Sequence, residues 1–389
     1  MNWRYRHTVL ALCTLAFTST MLARLVISPV VPDVTGHFGV STGAVGLALS
    51  GMWAAYALTQ FPSGVLGDRF GERRVILAAV GITAAASLSL SLSPTFAVFA
   101  VLTVVLGAGA GLHYSVATTL LTKEFDDIGR AIGVHVAGGP LAGLIAPVVA
   151  TAVAVRFGWR AAIAVGAAVA LPAFVAFAWR VERTTPDHPD EPMRDRMAVR
   201  PLLELLSRPS IAFTTLVAGI GAFSWQATAS FLPTFLVAFR SLPETTAGLL
   251  FSAYFVVNGL AQPTTGWVSD RIGRDGAAAV TMALGVVGYA LLVAGPRIAL
   301  LPAVVCVGVA MTWGAPLQSR FFDKFEADER GAAFGLVRTA YMVIGSTGSV
   351  VVGVLSDVSG WAAAYGLLVG VTGVALVALL ANRAFRLGL

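Results

Sequence analysis

Residues 46–73 of this chain recur half a chain later at a constant offset of 202, the separation of Gly46 from Gly248. Matched positions are Gly46 and Gly248, Leu47 and Leu249, Ser50 and Ser252, Gln60 and Gln262, Gly64 and Gly266, Asp68 and Asp270, Arg69 and Arg271, and Gly71 and Gly273. The same register returns near the end of each half, where Gly158-Trp159 matches Gly360-Trp361. A fixed internal period of this length indicates a chain built from two copies of one structural half.

The composition indicates that lipid is the solvent of this chain. Of its 389 residues, 57% are hydrophobic and only 12% are charged, which is too little polar surface to cover a water-soluble globule. Apolar runs of about 20 residues, the length that crosses a bilayer as a helix, recur throughout. We predict twelve spans, six in each half: 8–31, 42–66, 75–92, 95–121, 130–154, 160–180, 210–236, 243–267, 276–295, 298–321, 331–355 and 361–382.

The placement of the basic residues predicts the orientation. A net charge of +6 is compatible with nucleic-acid binding, but most of the 26 Lys and Arg residues fall at the ends of spans on one side. On the other side we place Arg156, Arg160, Arg240 and Arg297. This positive-inside bias predicts an integral protein of the plasma membrane with both termini cytoplasmic, and no nucleic-acid partner.

A proline-bearing stretch with mixed charges and no apolar run separates the halves at 181–208. We therefore predict an N-terminal bundle at 1–180, a cytoplasmic linker at 181–208 and a C-terminal bundle at 209–389. The end of the linker, 200–208, is expected to form a short helix on the inner membrane surface. The expected fold is an all-α integral membrane protein with twelve transmembrane helices in two pseudo-symmetric six-helix bundles, functioning as a monomer.

The two copies of the repeat end in loops that resemble the cytoplasmic signature of the major facilitator superfamily. Residues 64–74 lie between spans two and three, and 266–274 lie between spans eight and nine, as in that family. The resemblance covers essentially the whole chain and implies a transporter that works by alternating access. It assigns gating and stability, not substrate contact, to Gly64, Asp68, Arg69, Gly71, Arg73, Gly266, Asp270, Arg271 and Gly273.

Two arginines lie inside predicted spans, Arg24 in the first and Arg338 in the eleventh, while all Asp and Glu residues fall in loops or at span ends. A cation in hydrocarbon needs an anionic partner, water or a route to the interface. We therefore predict that the substrate supplies the negative charge. The alternative for each arginine is that its side chain extends to the membrane surface, and for Arg338 the two readings are equally supported.

The sequence around Arg24 resembles the first-helix pattern of the anion:cation symporter branch of that superfamily. Arg24 opens the segment RLVISPVVPD, and residues 37–41 follow as HFGVS. The resemblance implies an organic or small inorganic anion of the carboxylate type, with Arg24 as a ligand and Arg338 as a second, opposed cation. Further cavity-lining candidates are Trp225, Gln226, Asn258 and Tyr341.

Two histidines within spans, His113 and His135, are candidate proton sites because imidazole titrates near neutrality. An equally supported reading places them in helix contacts as hydrogen-bonded side chains. Residues 107–115 lack the Glu that many proton-coupled relatives of the anion branch carry there, and Thr103 stands where many drug antiporters have Arg. Histidine-mediated proton coupling, exchange against a counter-anion and facilitated transport therefore all stay open.

The usual enzyme signatures are absent from the sequence, so no enzymatic activity and no cofactor or metal is predicted. Cys13 and Cys306 occupy unrelated positions inside spans and predict neither a disulfide nor a metal site. The small residues 107–111 are expected to pack between helices, not to cradle a nucleotide. The alternative function is efflux of drugs or other hydrophobic compounds, and a receptor-like member of the fold also stays open.

Overall fold

The computed structural model describes residues 5–190, 200–326 and 330–389. Three of the basic residues that the sequence places on the cytoplasmic side, Arg4, Arg194 and Arg196, lie outside these ranges, as does the middle of the predicted linker. Within the described ranges the regular structure is helical throughout.

Helices α1 to α8 are Tyr5–Leu25, Val31–Phe38, Thr42–Phe70, Glu72–Ser91, Phe96–Gly111, His113–Glu124, Ile128–Val136 and Gly138–Arg180. Helices α9 to α15 are Arg200–Leu206, Pro209–Ala238, Glu244–Ile272, Arg274–Ala294, Leu300–Ala310, Gly314–Lys324 and Arg330–Ala384. The short helix predicted at the end of the linker is therefore present as α9.

Twelve membrane crossings follow from these helices. By length and composition, eight helical stretches of the described chain suit a bilayer, and two of them, 128–180 and 333–384, are long enough for two crossings each. Helices α3 and α11, 29 residues each, supply the remaining two; at about 1.5 Å per residue they exceed the hydrocarbon thickness. The fold is thus the predicted arrangement of twelve helices in two bundles.

Several spans that the hydropathy pattern presented as continuous are interrupted. The first span breaks after Leu25, passes through a 3-10 turn at Ser28–Val30 and continues as α2. Pro29 and Pro32 lack the amide hydrogen that a continuous helix would use there. The fourth span is interrupted at Leu112, and the tenth by a 3-10 turn at Met311–Trp313, at nearly equivalent positions of the repeat.

The helices group into two compact units. One contains Met1–Val40 and Gly51–Ala198, and the other contains Ser41–Ser50 and Val199–Leu389. The core of the first unit includes a cluster of apolar side chains from α1, α4, α6 and α8, among them Val9, Ile76, Leu120 and Phe177. The first turns of α3, up to Ser50, are thus assigned to the second unit, whereas the remainder of the helix belongs to the first.

Glycines permit the closest helix approach in the first unit. A methyl group added at Gly107 would strike the backbone carbonyl of Met52, and one added at Gly111 would strike the backbone of Tyr56. The small residues at 107–111 therefore pack α5 against α3, which is the role predicted for them.

The repeat extends to rare backbone conformations. Gly71 and Gly273 have φ of 85° and 86°, and Gly158 and Gly360 have φ of 82° and 81°. Each pair is related by the offset of 202 residues. Side chains disfavour this left-handed region, so glycine is required wherever one helix must end and the next begin with so little intervening chain.

We expect Gly360→Ala to lower the apparent melting temperature of the detergent-purified protein. No atom lies within 4 Å of the added methyl group, so the loss, about 1–2 kcal/mol, comes from backbone strain alone. Gly366→Ala, at an equally open site of α15 with ordinary φ, is the matched control and should melt like the wild type. Equal melting temperatures for the two variants would contradict this account.

Candidate functional site

Arg24 lies in the last turn of α1 and is enclosed by protein, with only 2% of its surface exposed. Its Nε donates to the carbonyl of Thr20 at 3.1 Å, and Nη2 lies 3.5 Å from Sδ of Met21. These contacts fold the side chain back along its own helix. A side chain that extended to the membrane interface would be solvated there. The burial of Arg24 therefore disfavours the alternative in which its side chain reaches the membrane surface. Its predicted contact with substrate stays a prediction.

Two aromatic rings of α3 cover the guanidinium. The Cζ atom of Arg24 lies 3.9 Å from the ring centroid of Tyr56 and 5.0 Å from that of Trp53. Such cation–π contacts contribute about 0.5–2 kcal/mol, and the negative end of the α1 dipole adds a comparable amount. Removing a cation from water costs several kcal/mol, so these contacts offset only part of the penalty.

One donor of this guanidinium is unused. Within the part of the chain that the structure describes, Nη1 of Arg24 is buried without a hydrogen-bond partner, and no described carboxylate forms an ion pair with it. Arginine can only donate, so this atom needs an acceptor, and leaving a buried donor unpaired costs about 1–3 kcal/mol or more. Nη1 of Arg24 can therefore donate to an anionic oxygen.

In the second unit, Gln226 meets the segment that carries Arg338 and Tyr341. Gln226 is buried, its Nε2 donates to the carbonyl of Met342 at 3.3 Å, and its Oε1 has no partner among the described residues. Arg338 is half-buried one turn before Met342 in α15. The ring of Tyr341 packs against Trp313, with centroids 5.9 Å apart. Gln226 thus contacts the segment of α15 that carries Arg338 and Tyr341.

The other two polar candidates of the second unit lie in separate helix contacts. The amide nitrogen of Asn258 donates to the carbonyl of Gly308 at 3.4 Å, which joins α11 to α13. The indole of Trp225 packs edge-on against Phe255 at 6.5 Å between centroids. Their predicted contact with substrate stays a prediction.

His113 and His135 are brought together in the first unit. Both are fully buried and their ring centroids are 5.5 Å apart. Phe17 of α1 packs on both rings, at 6.1 Å and 5.2 Å. The sequence presented them as two separate candidates, whereas the fold makes them one cluster.

The first signature loop is fastened to the start of the linker. The guanidinium of Arg73 donates to the carbonyls of Ala178 and Val181 at 2.5 Å and 2.7 Å, at the end of α8 where helix carbonyls lack partners. The carbonyl of Asp68 accepts from the amide of His188 at 2.9 Å. These contacts hold the residues after α8 against the loop.

The second signature loop is held by charge pairs instead. Arg274 contacts Asp270 at 2.5 Å and Asp323 at 3.0 Å, which ties the loop to the end of α14. Arg271 lies 3.9 Å from the ring centroid of Trp267. The gating role predicted for these loops stays a prediction.

Sequence reasoning missed two groups that the structure places at important positions. Trp53 and Tyr56 cover Arg24, and their three-residue spacing on α3 puts both on one helix face, which was the only available signal. Glu72 is 1% exposed in the first turn of α4. The ammonium of Lys123 lies 2.5 Å from the carboxylate of Glu72 and 2.6 Å from that of Asp187. Nothing in the sequence indicated this second cluster.

Comparison with known proteins identifies the family. The model of the Major Facilitator Superfamily matches residues 13–243 and 215–386. The chain belongs to the major facilitator superfamily. It is therefore a membrane transporter and not an enzyme, and the two signature loops are those of this superfamily.

Solved structures of other transporters have the same fold. A bacterial homolog of the human lysosomal transporter Spinster, inward-facing and occupied, aligns with a TM-score of 0.83 at 16% identity, covering 98% of both chains. The nucleoside transporter NupG aligns with a TM-score of 0.83 at 14% identity, covering 97% of this chain and 99% of NupG. At these identities the likeness extends to the fold alone.

Curated relatives of this superfamily member include anion and drug transporters. A probable sulfoacetate transporter of Cupriavidus necator is 29% identical over 168 residues, 43% of this chain and 39% of the relative. The hexuronate transporter of Bacillus subtilis is 22% identical over 271 residues, 66% and 63% of the two chains. The multidrug resistance protein MdtL of a Shewanella species is 31% identical over 130 residues, 33% of each. The matches span less than two thirds of these relatives.

We expect Lys123→Met to destabilise the purified transporter by about 1–3 kcal/mol. The change leaves the carboxylate of Glu72 buried without its cation; the 38% exposure of Lys123 keeps the loss below that of a fully buried pair. The added change Glu72→Gln should restore much of the melting temperature. Arg200→Met breaks an exposed pair with Glu204 and should have no measurable effect, which makes it the control. A Lys123→Met protein that melts like the wild type would refute this role.

Proposed function

We propose that this transporter carries a small organic anion and that Nη1 of Arg24 donates to its anionic group. The observation that carries the proposal is the buried, unpaired Nη1 of a guanidinium that no described carboxylate neutralises. A bound anion would supply both the missing charge and the missing acceptor. The named substrates of two relatives, sulfoacetate and hexuronate, carry acidic groups of this kind.

The surroundings of Arg24 favour one acidic group presented to a single edge of the guanidinium. Nε and Nη2 are already engaged by Thr20 and Met21, and the rings of Tyr56 and Trp53 cover the guanidinium. The unused donor is therefore Nη1, which suits one oxygen of a carboxylate or sulfonate. The aromatic rings provide an apolar surface for the carbon skeleton of such an acid.

The proposal also includes a second contact with the substrate and the orientation of the protein in the membrane. Arg338 is the second candidate contact, for a distal polar or anionic group; it lies in the segment of α15 that Gln226 contacts and that also carries Tyr341. The bundles divide at the linker 181–208, the signature loops gate the cycle, and the monomer lies in the plasma membrane with both termini cytoplasmic. Transport is secondary active or facilitative.

Uptake by proteoliposomes tests the assignment of Arg24. With radiolabelled glucuronate and sulfoacetate as probes, we expect saturable uptake by the wild type. Arg24→Ala should lower uptake at low substrate concentration about 10-fold to 100-fold, the loss of one hydrogen bond between charged groups. Arg24→Lys should be impaired as well, because an ammonium cannot keep the same hydrogen bonds and ring contacts.

Arg160→Ala is the matched control for this experiment. Arg160 also lies over an indole, that of Trp159 at 4.2 Å, and donates to the carbonyl of Ser93, but it belongs to another part of the first unit. Its removal should change stability without removing anion uptake. Anion transport that survives Arg24→Ala unchanged would refute the assignment.

Efflux of hydrophobic compounds is the second candidate function, because the multidrug resistance protein MdtL is among the relatives. A resistance profile of cells expressing the transporter, measured with ethidium and tetraphenylphosphonium, separates the two. The buried cation at Arg24 disfavours cationic substrates, so we expect no resistance. Broad resistance to these cations without anion uptake would reverse the assignment.

A further inference from the structure

The first unit contains a pair of buried imidazoles that the proposed anion site does not use. His113 begins α6 and His135 lies in the last turn of α7, with both side chains fully buried. Their ring centroids are 5.5 Å apart at an interplanar angle of 48°. The ring of Phe17 in α1 stacks on that of His113 and packs at a tilt against that of His135. The ring centroids of Tyr114 and His135 are 6.0 Å apart.

Hydrogen bonding leaves this pair with vacant proton-accepting positions. Nε2 of His113 lies 3.2 Å from the carbonyl oxygen of Cys13, which can only accept, so Nε2 carries a hydrogen. In the neutral ring Nδ1 is then a bare lone pair. That atom and both ring nitrogens of His135 are buried without a hydrogen-bond partner among the described residues. Such unpaired buried atoms are uncommon and call for a function or a bound species.

The spacing makes the pair a site for one proton. Two imidazolium ions with rings 5.5 Å apart, shielded from water, would repel each other strongly, so the second protonation is opposed by the first. A proton from solvent forms an N–H bond with the lone pair of one ring nitrogen, and the same N–H bond breaks when the proton is released. No other covalent bond forms or breaks.

Arg24 is the fixed charge nearest to this pair along α1. Its guanidinium is bonded to the carbonyl of Thr20, and Phe17, which packs on both imidazoles, lies three residues earlier, about 4.5 Å of helix rise. Both side chains are buried in protein, where charges interact more strongly than in water, so the charge of Arg24 opposes protonation of the pair. A vacant anion site therefore opposes protonation of the pair, whereas an anion bound at Arg24 cancels that opposition.

The other titratable groups around the pair are few. Cys13 contacts His113 through its backbone carbonyl, and the ring of Tyr114 lies 6.0 Å from that of His135. Charged or titratable groups on the elements packed around the pair lie farther along their helices, toward the ends: Arg6 and His7 in α1, Glu72 on α4, paired with Lys123, Glu124 at the end of α6, Arg130 in α7, and Arg156, Arg160 and Arg180 in α8. Arg24 is thus the charge whose neutralisation by substrate most directly alters the site.

We propose that His113 and His135 form a one-proton site whose occupancy is linked to the anion at Arg24, so that one proton is carried with each anion. The inference rests on the proposed function, since it takes the anion site at Arg24 as given. Linkage is reciprocal: an anion at Arg24 tightens proton binding, and a proton on the pair tightens anion binding by the same factor. A buried carboxylate in residues 107–115 is then unnecessary for coupling.

Two assays on one set of proteoliposomes test this linkage, with glucuronate and sulfoacetate as probes. Counterflow at equal pH on both sides reports anion binding and reorientation, and accumulation driven by an imposed pH gradient, acid outside, reports coupling. For one proton per anion, a gradient of one pH unit should produce an accumulation of about tenfold in the wild type. His135→Gln and His113→Gln should lose the accumulation and retain counterflow that depends on Arg24, with weaker anion binding than the wild type because the linked proton is absent.

Two further variants provide the controls. His37→Gln changes an exposed histidine of the same unit that packs on Trp159, and it should accumulate anion like the wild type. Arg24→Ala should lose both counterflow and accumulation. All variants are first compared by size-exclusion chromatography, so that a misfolded protein is not counted as an uncoupled one, and His135→Asn replaces His135→Gln if the latter aggregates.

The possible failures are distinguishable. Counterflow that depends on Arg24, together with wild-type accumulation by both histidine variants, would overturn this inference and leave the proposed function standing. Counterflow that is absent in the wild type, or that survives Arg24→Ala unchanged, would overturn the proposed function and this inference with it. Both are supported if the histidine variants lose the accumulation while keeping counterflow, and Arg24→Ala loses the two together.

Discussion

A guanidinium enclosed by protein without an anionic partner is the constraint on which the functional interpretation depends. Arg24 is 2% exposed, two aromatic rings of α3 cover it, and its Nη1 has no described partner. Ring contacts and the helix dipole together offset only part of the cost of burying the charge. In our proposal, an anion bound at Arg24 offsets the rest of this desolvation cost. The guanidinium of Arg24 donates to Thr20 of α1, and Phe17 of the same helix packs on both imidazoles, so the arginine and the imidazole pair share α1.

The two halves share a frame but not their chemistry. Glycines with matched left-handed conformations, such as Gly158 and Gly360, recur because both halves make the same helix junctions. At the offset of 202 residues, however, Arg24 corresponds to Gln226, and His135 corresponds to Val337. A duplicated fold thus carries a buried arginine and an imidazole pair in one half, and an amide at the position equivalent to the arginine in the other. The residues to which we assign function in our proposals lie where the repeat is broken.

Much of the fold was predictable because long apolar runs, paired loop signatures and an internal period each leave a strong local signal. The interruption at Leu112 was not predictable, because the apolar pattern continues across the point where α5 ends and α6 begins. Of the site, Arg24 was predictable because a charge in an apolar span is conspicuous. Trp53 and Tyr56 were not, since aromatic residues occur in many spans and only packing decides which of them meet a cation.

The sequence by itself determined the membrane environment, the twelve spans, the family and the residues with unusual charge, because these depend on composition, period and local pattern. Only the tertiary structure decided which of those residues meet. It enclosed Arg24 between rings from another helix, fastened the first signature loop to the residues after α8 through Arg73, and joined His113 to His135. Such contacts join residues from about 20 to more than 100 positions apart, and their distances depend on how the helices pack, which no local pattern records.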